Sequence, residues 1–173
     1  MIYNKICDFN KFLNNKGRGR LISIDLGRVN IGIAISDENR IIVTPKMTIK
    51  RKSNEKDFEQ IYNLINENKV IGVVIGLPLN MKGDETEFSA YVRKFGDSFN
   101  SYIIGKQDIK NDKEIGIIYF DERLTSQMAE DMLIDTFNLS RQKRKKIIDK
   151  VAAGYILEGF LNSTPTWNKK SQD

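Results

Sequence analysis

Acidic residues stand directly after two apolar runs of this sequence. Asp25 follows the run at residues 21–24, and Asp121 and Glu122 follow the run at residues 115–120. Short, continuously apolar runs of this kind are typical of buried strands. Ligands in open α/β sheets bind outside the carboxyl ends of the strands, so acids at two such ends could meet in one site.

A third acid, Asp149, lies in a stretch whose other residues at helical spacing are apolar. These residues are Ala152, Ala153, Ile156 and Phe160. At 100° per residue they share one helix face with Asp149. A carboxylate on an apolar face is costly unless it is paired or binds a cation. A salt bridge to Lys145, to Lys146 or to an arginine of another element would also satisfy this requirement.

The acids at the strand ends have simpler explanations as well. Asp25 could only begin a turn, because aspartate is a common turn residue. Asp121 and Glu122 could form a solvated strand end, with Arg123 paired to one of them. The chemical interpretation therefore depends on all three groups of acids meeting in space.

Together, three such groups could hydrolyse phosphodiester bonds. Carboxylates can hold two metal ions about 4 Å apart, which activate a water and stabilise the leaving oxygen. The sequence contains no histidine, which excludes Ser-His-Asp and Cys-His sites, a histidine general base and imidazole-bound zinc. Oxygen ligands favour hard cations, and we therefore expect Mg²⁺ (or Mn²⁺).

The overall composition fits a soluble globular protein. The chain has 173 residues, of which 40% are hydrophobic and 29% charged, and its net charge is +5. This charge makes polyanions plausible partners, although it says nothing about chemistry. Cys7 is the single cysteine, and no apolar run approaches the roughly 18 residues of a membrane span. We expect a cytoplasmic protein with no membrane segment, and a monomer or weak homodimer.

The elements that must position the acids follow from periodicity. Strands are predicted at residues 21–25, 31–35, 41–49, 70–75 and 115–120, and helices at about 54–65, 85–102, 125–137 and 141–162. The short turns between the first three strands indicate an antiparallel meander. The fold class is α/β, with a five-stranded mixed sheet, three meander strands plus two parallel strands, flanked by helices. The first strand is expected to lie beside the fourth.

The chain divides into three predicted parts. Residues 1–19 form an N-terminal extension, in which the spacing of Ile2, Ile6, Phe9 and Leu13 predicts a short amphipathic helix docked on the domain. Residues 20–162 form the main domain. Residues 105–114 within it are polar and are predicted to form an exposed loop. Residues 163–173 form a C-terminal tail.

Basic residues lie close to the acids in the sequence. Four of them precede Asp149 within two helical turns: Lys143, Arg144, Lys145 and Lys146. Arg28, Lys82 and Arg123 are further candidates for phosphate contacts. Read alone, the run before Asp149 could equally be a solvated helix end. Beside a carboxylate site it would hold a phosphate backbone and make binding sensitive to salt.

Four segments resemble one known family. They are residues 25–37 (DLGRVNIGIAISD), 76–83 (GLPLNMKG), 121–125 (DERLT) and 149–153 (DKVAA). In this order they resemble the YqgF family, also called RuvX, of Holliday-junction-resolvase-like nucleases with the RNase H fold. The resemblance covers roughly residues 20–162. Each segment is weak alone, and the four in order are specific.

The resemblance implies a metal-dependent endonuclease that processes the 5′ end of pre-16S rRNA or acts on branched DNA. It implies that Asp25, Glu122 and Asp149 are the catalytic, metal-binding acids. Asp121 is a possible substitute for Glu122 or a partner of it, and we favour Glu122 as the ligand. Asn30 departs from the family pattern, which usually has a basic residue there.

Two other functions remain open from the sequence. A non-catalytic RNA-binding protein could use the same basic residues, and tight RNA binding without metal-dependent cleavage would favour it. An actin-like or sugar-kinase ATPase also begins its first phosphate loop with Asp-Leu-Gly after a strand, as at residues 25–27. That fold needs two such domains, whereas this chain has room for one.

Overall fold

The computed structural model describes residues 1–106, 114–123 and 141–164, and over residues 141–148 only the backbone. In these ranges, a six-stranded mixed sheet is flanked by helices. The strands are β1 (Ile2–Tyr3), β2 (Arg20–Leu26), β3 (Asn30–Ser36), β4 (Val43–Lys50), β5 (Val70–Leu77) and β6 (Gly116–Asp121). The helices are α1 (Ile6–Lys16), α2 (Asn54–Glu67), α3 (Glu87–Lys106) and α4 (Arg141–Asn162).

The strand order is β1-β6-β5-β2-β3-β4. β3 is antiparallel to both of its neighbours, β2 and β4, and β5 is parallel to both β2 and β6. This confirms the predicted meander and the predicted contact between the first and fourth strands of the main domain. The carboxyl ends of β2, β5 and β6 therefore lie at the same edge of the sheet.

The predicted number of strands was wrong, because the first residues of the chain add a sixth. Ile2 and Tyr3 pair in parallel with β6, opposite Ile117 and Ile118. The backbone N–H of Ile117 donates to the Met1 carbonyl at 2.8 Å. This pairing satisfies backbone groups at the edge of β6, which would otherwise be exposed. The docked helix is confirmed, but it begins at Ile6 and excludes Ile2.

The third strand of the meander also begins later than predicted. Ile41 and Ile42 are 58% and 64% exposed and precede β4. Their backbone N–H groups donate to Oδ1 of Asp37 at 2.7 and 2.8 Å, which holds both residues in a turn. Sequence periodicity could not detect this, because two isoleucines before a valine are typical of a strand.

The bounds of the remaining elements follow the prediction more closely. Ser53 caps α2, since its side chain accepts a hydrogen bond from the N–H of Lys56. α3 begins at Glu87 and continues to Lys106, beyond the predicted end, so the predicted loop is shorter at its start. The helix predicted at 125–137, most of the loop and most of the tail lie outside the described residues. Within the described part, no helix is long and apolar enough to cross a membrane.

The sheet has an apolar core on each face. α2 and α3 cover one face, where Ile22, Ile24, Phe58, Phe95 and other residues form one cluster. α1 and α4 cover the other, where the cluster contains these residues: Phe9, Leu13, Leu21, Val74, Ile118, Ile156 and Phe160. Side chains of a strand alternate between faces, so every second residue points toward α4. This alternation determines which acids can meet.

Candidate active site

Asp25 and Glu122 are placed on the α4 face of the sheet by the strand pleat. In β2, Leu21 packs in the α4-side cluster, and the Ser23 hydroxyl donates to the Ala153 carbonyl of α4 at 2.6 Å. Asp25, two residues further on, has the same orientation. Glu122 comes four residues after Ile118, which packs in the core of that face, so Glu122 has the same orientation as Ile118. Two acids that are far apart in sequence thus lie on one face at one sheet edge.

Asp149 reaches this edge because α4 packs very closely on β3. A β-carbon built on Gly32 would overlap the backbone carbonyl oxygen of Asp149 and lie 2.5 Å from its carbonyl carbon. Ala152 and Ala153 are buried on the same helix face, and their small side chains permit this close approach. Because Gly32 has no side chain, the backbone of Asp149 can contact the sheet at this position.

Asn30 fixes the side chain of Asp149. Its Nδ2 donates to Oδ2 of Asp149 at 2.7 Å, across 119 residues of sequence. Asn30 is the first residue of β3 and follows the tight turn in which the N–H of Gly27 donates to the Asn30 carbonyl at 2.9 Å. The residue that departs from the family pattern thus contacts one of the three acids directly.

The charges of the acids act on one another. Burial, followed by the negative charge of Asp149, raises the pKa of Asp25 from its ordinary 3.8 to about 7. Burial, followed by the charges of Asp25 and Asp121, raises the pKa of Glu122 from 4.5 to about 8. Asp25 is therefore coupled to both other acids, as expected if the three share one site.

Glu122 occupies space that a glycine leaves open. A β-carbon on Gly76 would overlap Oε2 of Glu122 and would lie 2.6 Å from Cδ1 of Ile156. The backbone N–H of Glu122 donates to the Leu77 carbonyl at 3.4 Å, which continues the pairing of β6 with β5 past the strand end. The Glu122 carboxylate thus lies beside β5 and α4.

Asp121 has a different environment. Its carboxylate accepts hydrogen bonds from Nε of Arg123, and Nη2 of Arg123 lies 2.7 Å from Oδ2. Partial burial acts to raise the pKa of Asp121, but the hydrogen bonds and charge of Arg123 outweigh it, and the pKa is lowered. Asp121 is thus paired with an arginine, whereas the Glu122 carboxylate lies near Asp25.

The three acids do not form a complete cation site in this structure. Within residues 1–106, 114–123 and 141–164, no three acidic or sulfur-bearing side chains are close enough together to hold a metal ion. Asp25, Glu122 and Asp149 lie at one edge of the sheet, and the charge of Asp25 acts on Glu122 as that of Asp149 acts on Asp25. Their carboxylates do not surround a single point. Buried like charges repel one another unless a cation lies between them.

Three of the predicted phosphate contacts lie around this edge. Arg28 is exposed in the turn between β2 and β3, and Lys82 is exposed in the loop after β5. Oδ1 of Asn80 accepts hydrogen bonds from the backbone N–H groups of Lys82 and Asp84, both at 2.9 Å, which holds that loop in shape. Arg123 lies against the same loop, since its Nη1 would be 3.2 Å from a β-carbon on Gly83.

The remaining predicted basic residues lie in the first turns of α4. Lys143, Arg144, Lys145 and Lys146 precede Asp149 on this helix, which begins at Arg141. Their side chains are outside the described part of the structure. A role in phosphate binding stays a prediction for all four.

Substituting Gly32 with alanine should destabilise the protein by at least about 2 kcal/mol, because the new β-carbon forces α4 away from the sheet. Urea unfolding measures this loss. Gly154→Ala is the matched control on α4, since its β-carbon would meet only Cγ of Pro45 at 3.5 Å. We expect the control to be neutral or stabilising, because alanine favours a helix. Equal stability of both variants would contradict the close approach of α4.

If Asp149 binds a metal ion for cleavage of nucleic acid, as the sequence predicts, substituting Asn30 with alanine should lower cleavage by about 10- to 100-fold while the protein stays folded, because Asn30 would then orient a metal ligand. Asn30→Asp should be worse, because it places a carboxylate against Asp149. Cleavage rates at saturating substrate measure both variants. Asn39→Ala, in an exposed turn, is the control and should not change the rate. Full activity of Asn30→Asp would contradict the positioning role.

Sequence reasoning missed the two glycines that make the site possible. Gly32 and Gly76 lie in strands that are otherwise apolar, at positions facing α4. A glycine inside a strand is a known signal of close backbone approach, and it could have been used here. The hydrogen bond from Asn30 to Asp149 had no comparable signal, because their contact depends on how α4 packs.

Comparisons with known proteins identify the family to which this chain belongs. The family model RuvX, described as Holliday junction resolvase, matches residues 19–163. A protein of Thermoanaerobacter pseudethanolicus, named "Putative pre-16S rRNA nuclease", is 41% identical over 144 residues, which are 83% of this chain and 96% of the relative. A protein of the same name from Cereibacter sphaeroides is 36% identical over 162 residues, 94% of this chain and 93% of the relative.

A solved structure of T. thermophilus RuvC in complex with Holliday junction substrate resembles the fold. Its TM-score is 0.51 at 11% identity, over 86% of this chain and 97% of that chain. At this identity the likeness concerns the fold alone, and it supports the predicted resolvase-like architecture. The family match and the identity to the two relatives extend over most of the chain. The chain therefore belongs to the RuvX family.

Proposed function

We propose that this protein is a divalent-metal-dependent endonuclease that processes the 5′ end of pre-16S rRNA. The observation that carries the proposal is the placement of three acids, Asp25, Glu122 and Asp149, at the carboxyl edge of the sheet, where Asn30 holds Asp149 and Gly76 leaves space for Glu122. Membership of the RuvX family and the names of its relatives support the reaction and the substrate.

The donor set fits a divalent ion. All three groups are carboxylates, the ligands that Mg²⁺ and Mn²⁺ prefer, and two of them have a raised pKa. A bound cation would offset both burial and mutual repulsion, because it favours the charged carboxylates. We propose that Asp25, Glu122 and Asp149 hold the ion, which would activate water and polarise the phosphate. Complete coordination requires the carboxylates to move closer together than they are here.

The surrounding residues have separate tasks in this proposal. Asn30 orients the Asp149 carboxylate through its hydrogen bond. Asp121 holds Arg123 against the loop that carries Lys82. Arg28 and Lys82 are exposed in the loops that follow β2 and β5 and would contact phosphates. Phosphate contacts position a nucleic acid without reading its sequence, so we expect binding to weaken as salt increases.

A second candidate substrate is a four-way DNA junction. The description of the family model favours it, since the model is that of a Holliday junction resolvase. Cutting both strands of a junction needs two sites on one substrate, whereas processing an RNA end needs one. Processing of an RNA end therefore suits a monomer or weak homodimer. We propose this oligomeric state, and a cytoplasmic location, for the protein.

Cleavage of two substrates side by side tests the proposal. Purified protein with Mg²⁺ or Mn²⁺ is incubated with a pre-16S rRNA leader and with a synthetic four-way junction, and products are mapped at nucleotide resolution. We expect cleavage of the leader near the mature 5′ end and none by Asp149→Asn. Cleavage of the junction alone would favour the resolvase. Binding of RNA without cleavage at any metal concentration would contradict both and indicate a binding protein.

A further inference from the structure

Two aromatic rings lie at the surface near the start of α3. Phe88 and Tyr91 are three residues apart, and their ring centroids are 5.8 Å apart at an interplanar angle of 17°. This is an offset stack, the arrangement that aromatic pairs favour. Tyr91 is 39% exposed, whereas Phe95 and Phe99 of the same helix are buried in the core. Phe88 is partly buried and packs against this core, so Tyr91 is the more exposed ring of the pair.

Arginines flank this pair. Cζ of Arg28 lies 5.3 Å from the centroid of the Phe88 ring, and Cζ of Arg51 lies 5.5 Å from that of Tyr91. Nε of Arg51 is 3.0 Å from Oδ2 of the buried Asp57, and its Nη1 donates to the Gly27 carbonyl at 3.3 Å. Arg51 therefore ties the Tyr91 ring to the turn after β2.

The pair lies at the edge of the sheet that carries the acids, but on the face covered by α3, whereas the acids face α4. Arg28 is in the turn three residues beyond Asp25, which corresponds to about 10 Å of extended chain. Val29, next to Arg28, is 56% exposed. We call the surface formed by Arg28, Phe88 and Tyr91 the aromatic platform. It combines aromatic surface with a positive charge, at the edge of the sheet that also carries the proposed metal-binding residues.

We propose that the aromatic platform binds unpaired nucleotides of the substrate next to the cleavage site. A base stacks on the exposed ring of Tyr91, and Arg28 contacts a neighbouring phosphate. Stacking on aromatic rings requires an accessible base face, which a base inside a duplex does not offer. The platform therefore selects substrates that are single-stranded beside the cut. This inference rests on the proposed nuclease function and adds the substrate class.

Binding measurements with matched variants test the platform. Fluorescence anisotropy gives the Kd for a single-stranded RNA, a single-stranded DNA and a blunt RNA duplex, each labelled and without metal. Tyr91→Leu should weaken binding of the single strands by at least about fivefold and leave the duplex unchanged. Tyr91→Phe keeps the ring and should bind like the unaltered protein. Arg28→Gln should flatten the dependence of Kd on salt.

The other end of α3 offers a control with similar chemistry. Tyr102 lies about 16 Å further along the helix and has Nζ of Lys106 5.4 Å from its ring centroid. Tyr102→Leu should not change single-strand binding. Photocrosslinking of a 5-iodouracil strand should label the peptide that contains Tyr91, and not the one that contains Tyr102.

The outcomes separate the platform from the nuclease. Equal single-strand binding by Tyr91→Leu and the unaltered protein, with cleavage intact, would overturn the platform and leave the nuclease standing. Equal loss of single-strand and duplex binding in Tyr91→Leu would also overturn it, because stacking would not be the cause. Failure of the unaltered protein to bind any nucleic acid would overturn the nuclease and the platform together.

Discussion

Replacing Asp25 with asparagine should lower metal-dependent cleavage by more than about 100-fold without unfolding the protein. Loss of a group that only orients a metal ligand costs 10- to 100-fold, and loss of a ligand itself should cost more. Asp25 interacts electrostatically with both Asp149 and Glu122. Its loss should therefore disable the site more than any other single change. Single-turnover cleavage of the substrate measures the effect.

Stability distinguishes this loss from unfolding. Asp25→Asn removes a buried charge, so at pH 8 without metal the variant should unfold at a higher urea concentration than the unaltered protein. Asp8→Asn is the matched control, since Asp8 is an exposed acid of α1 that lies 3.5 Å from Lys11. The control should cleave normally. Normal cleavage by Asp25→Asn would remove Asp25 from the site.

The second large effect should be a fall in stability between pH 5 and pH 8 when no metal is present. The pKa values of Asp25 and Glu122 are about 7 and 8 in the folded protein, above their ordinary 3.8 and 4.5. The folded state therefore keeps protons that the unfolded state releases. The stabilisation from these retained protons is complete below about pH 4. It is lost as the pH rises through the two pKa values of the folded protein, by at most about 1.4 kcal/mol per pH unit for each group.

Mg²⁺ should reverse this fall. The ion would bind the deprotonated carboxylates, so it should raise the melting temperature more at pH 8 than at pH 5. Burial lowers the pKa of the Met1 amino group as well, so the comparison is made with Glu122→Gln, which retains that group. That variant should show a smaller pH dependence and a smaller Mg²⁺ effect. An equal Mg²⁺ effect at both pH values would contradict the proposed site.

The fold was largely predictable because its strands are short, apolar and separated by recognisable turns. The meander and the parallel contact of β2 with β5 follow from turn length and strand order. β1 was not predictable in the same way. Ile2 and Tyr3 form only a two-residue strand, and it depends on the free edge of β6 more than 110 residues later. Local periodicity contains no information about that edge.

The residues of the candidate site are proposed from the sequence, whereas their side-chain contacts could not be predicted from it. Pleat alternation alone distinguishes Glu122 from Asp121, because Glu122 has the same orientation as Ile118 and Asp121 does not. The hydrogen bond from Asn30 to Asp149 and the stacking of Phe88 on Tyr91 depend on how helices pack on the sheet. Spacing within one element cannot reveal contacts between elements.

Binding of Mn²⁺, measured by electron paramagnetic resonance of the free ion at pH 8, tests the central claim most directly. The unaltered protein should bind Mn²⁺. Asp25→Asn, Glu122→Gln and Asp149→Asn should each weaken binding by more than about tenfold, because a metal ligand is worth at least as much as a group that orients it. Asp8→Asn should bind normally. Equal Mn²⁺ binding by the unaltered protein and all three variants would show that these acids do not hold the metal.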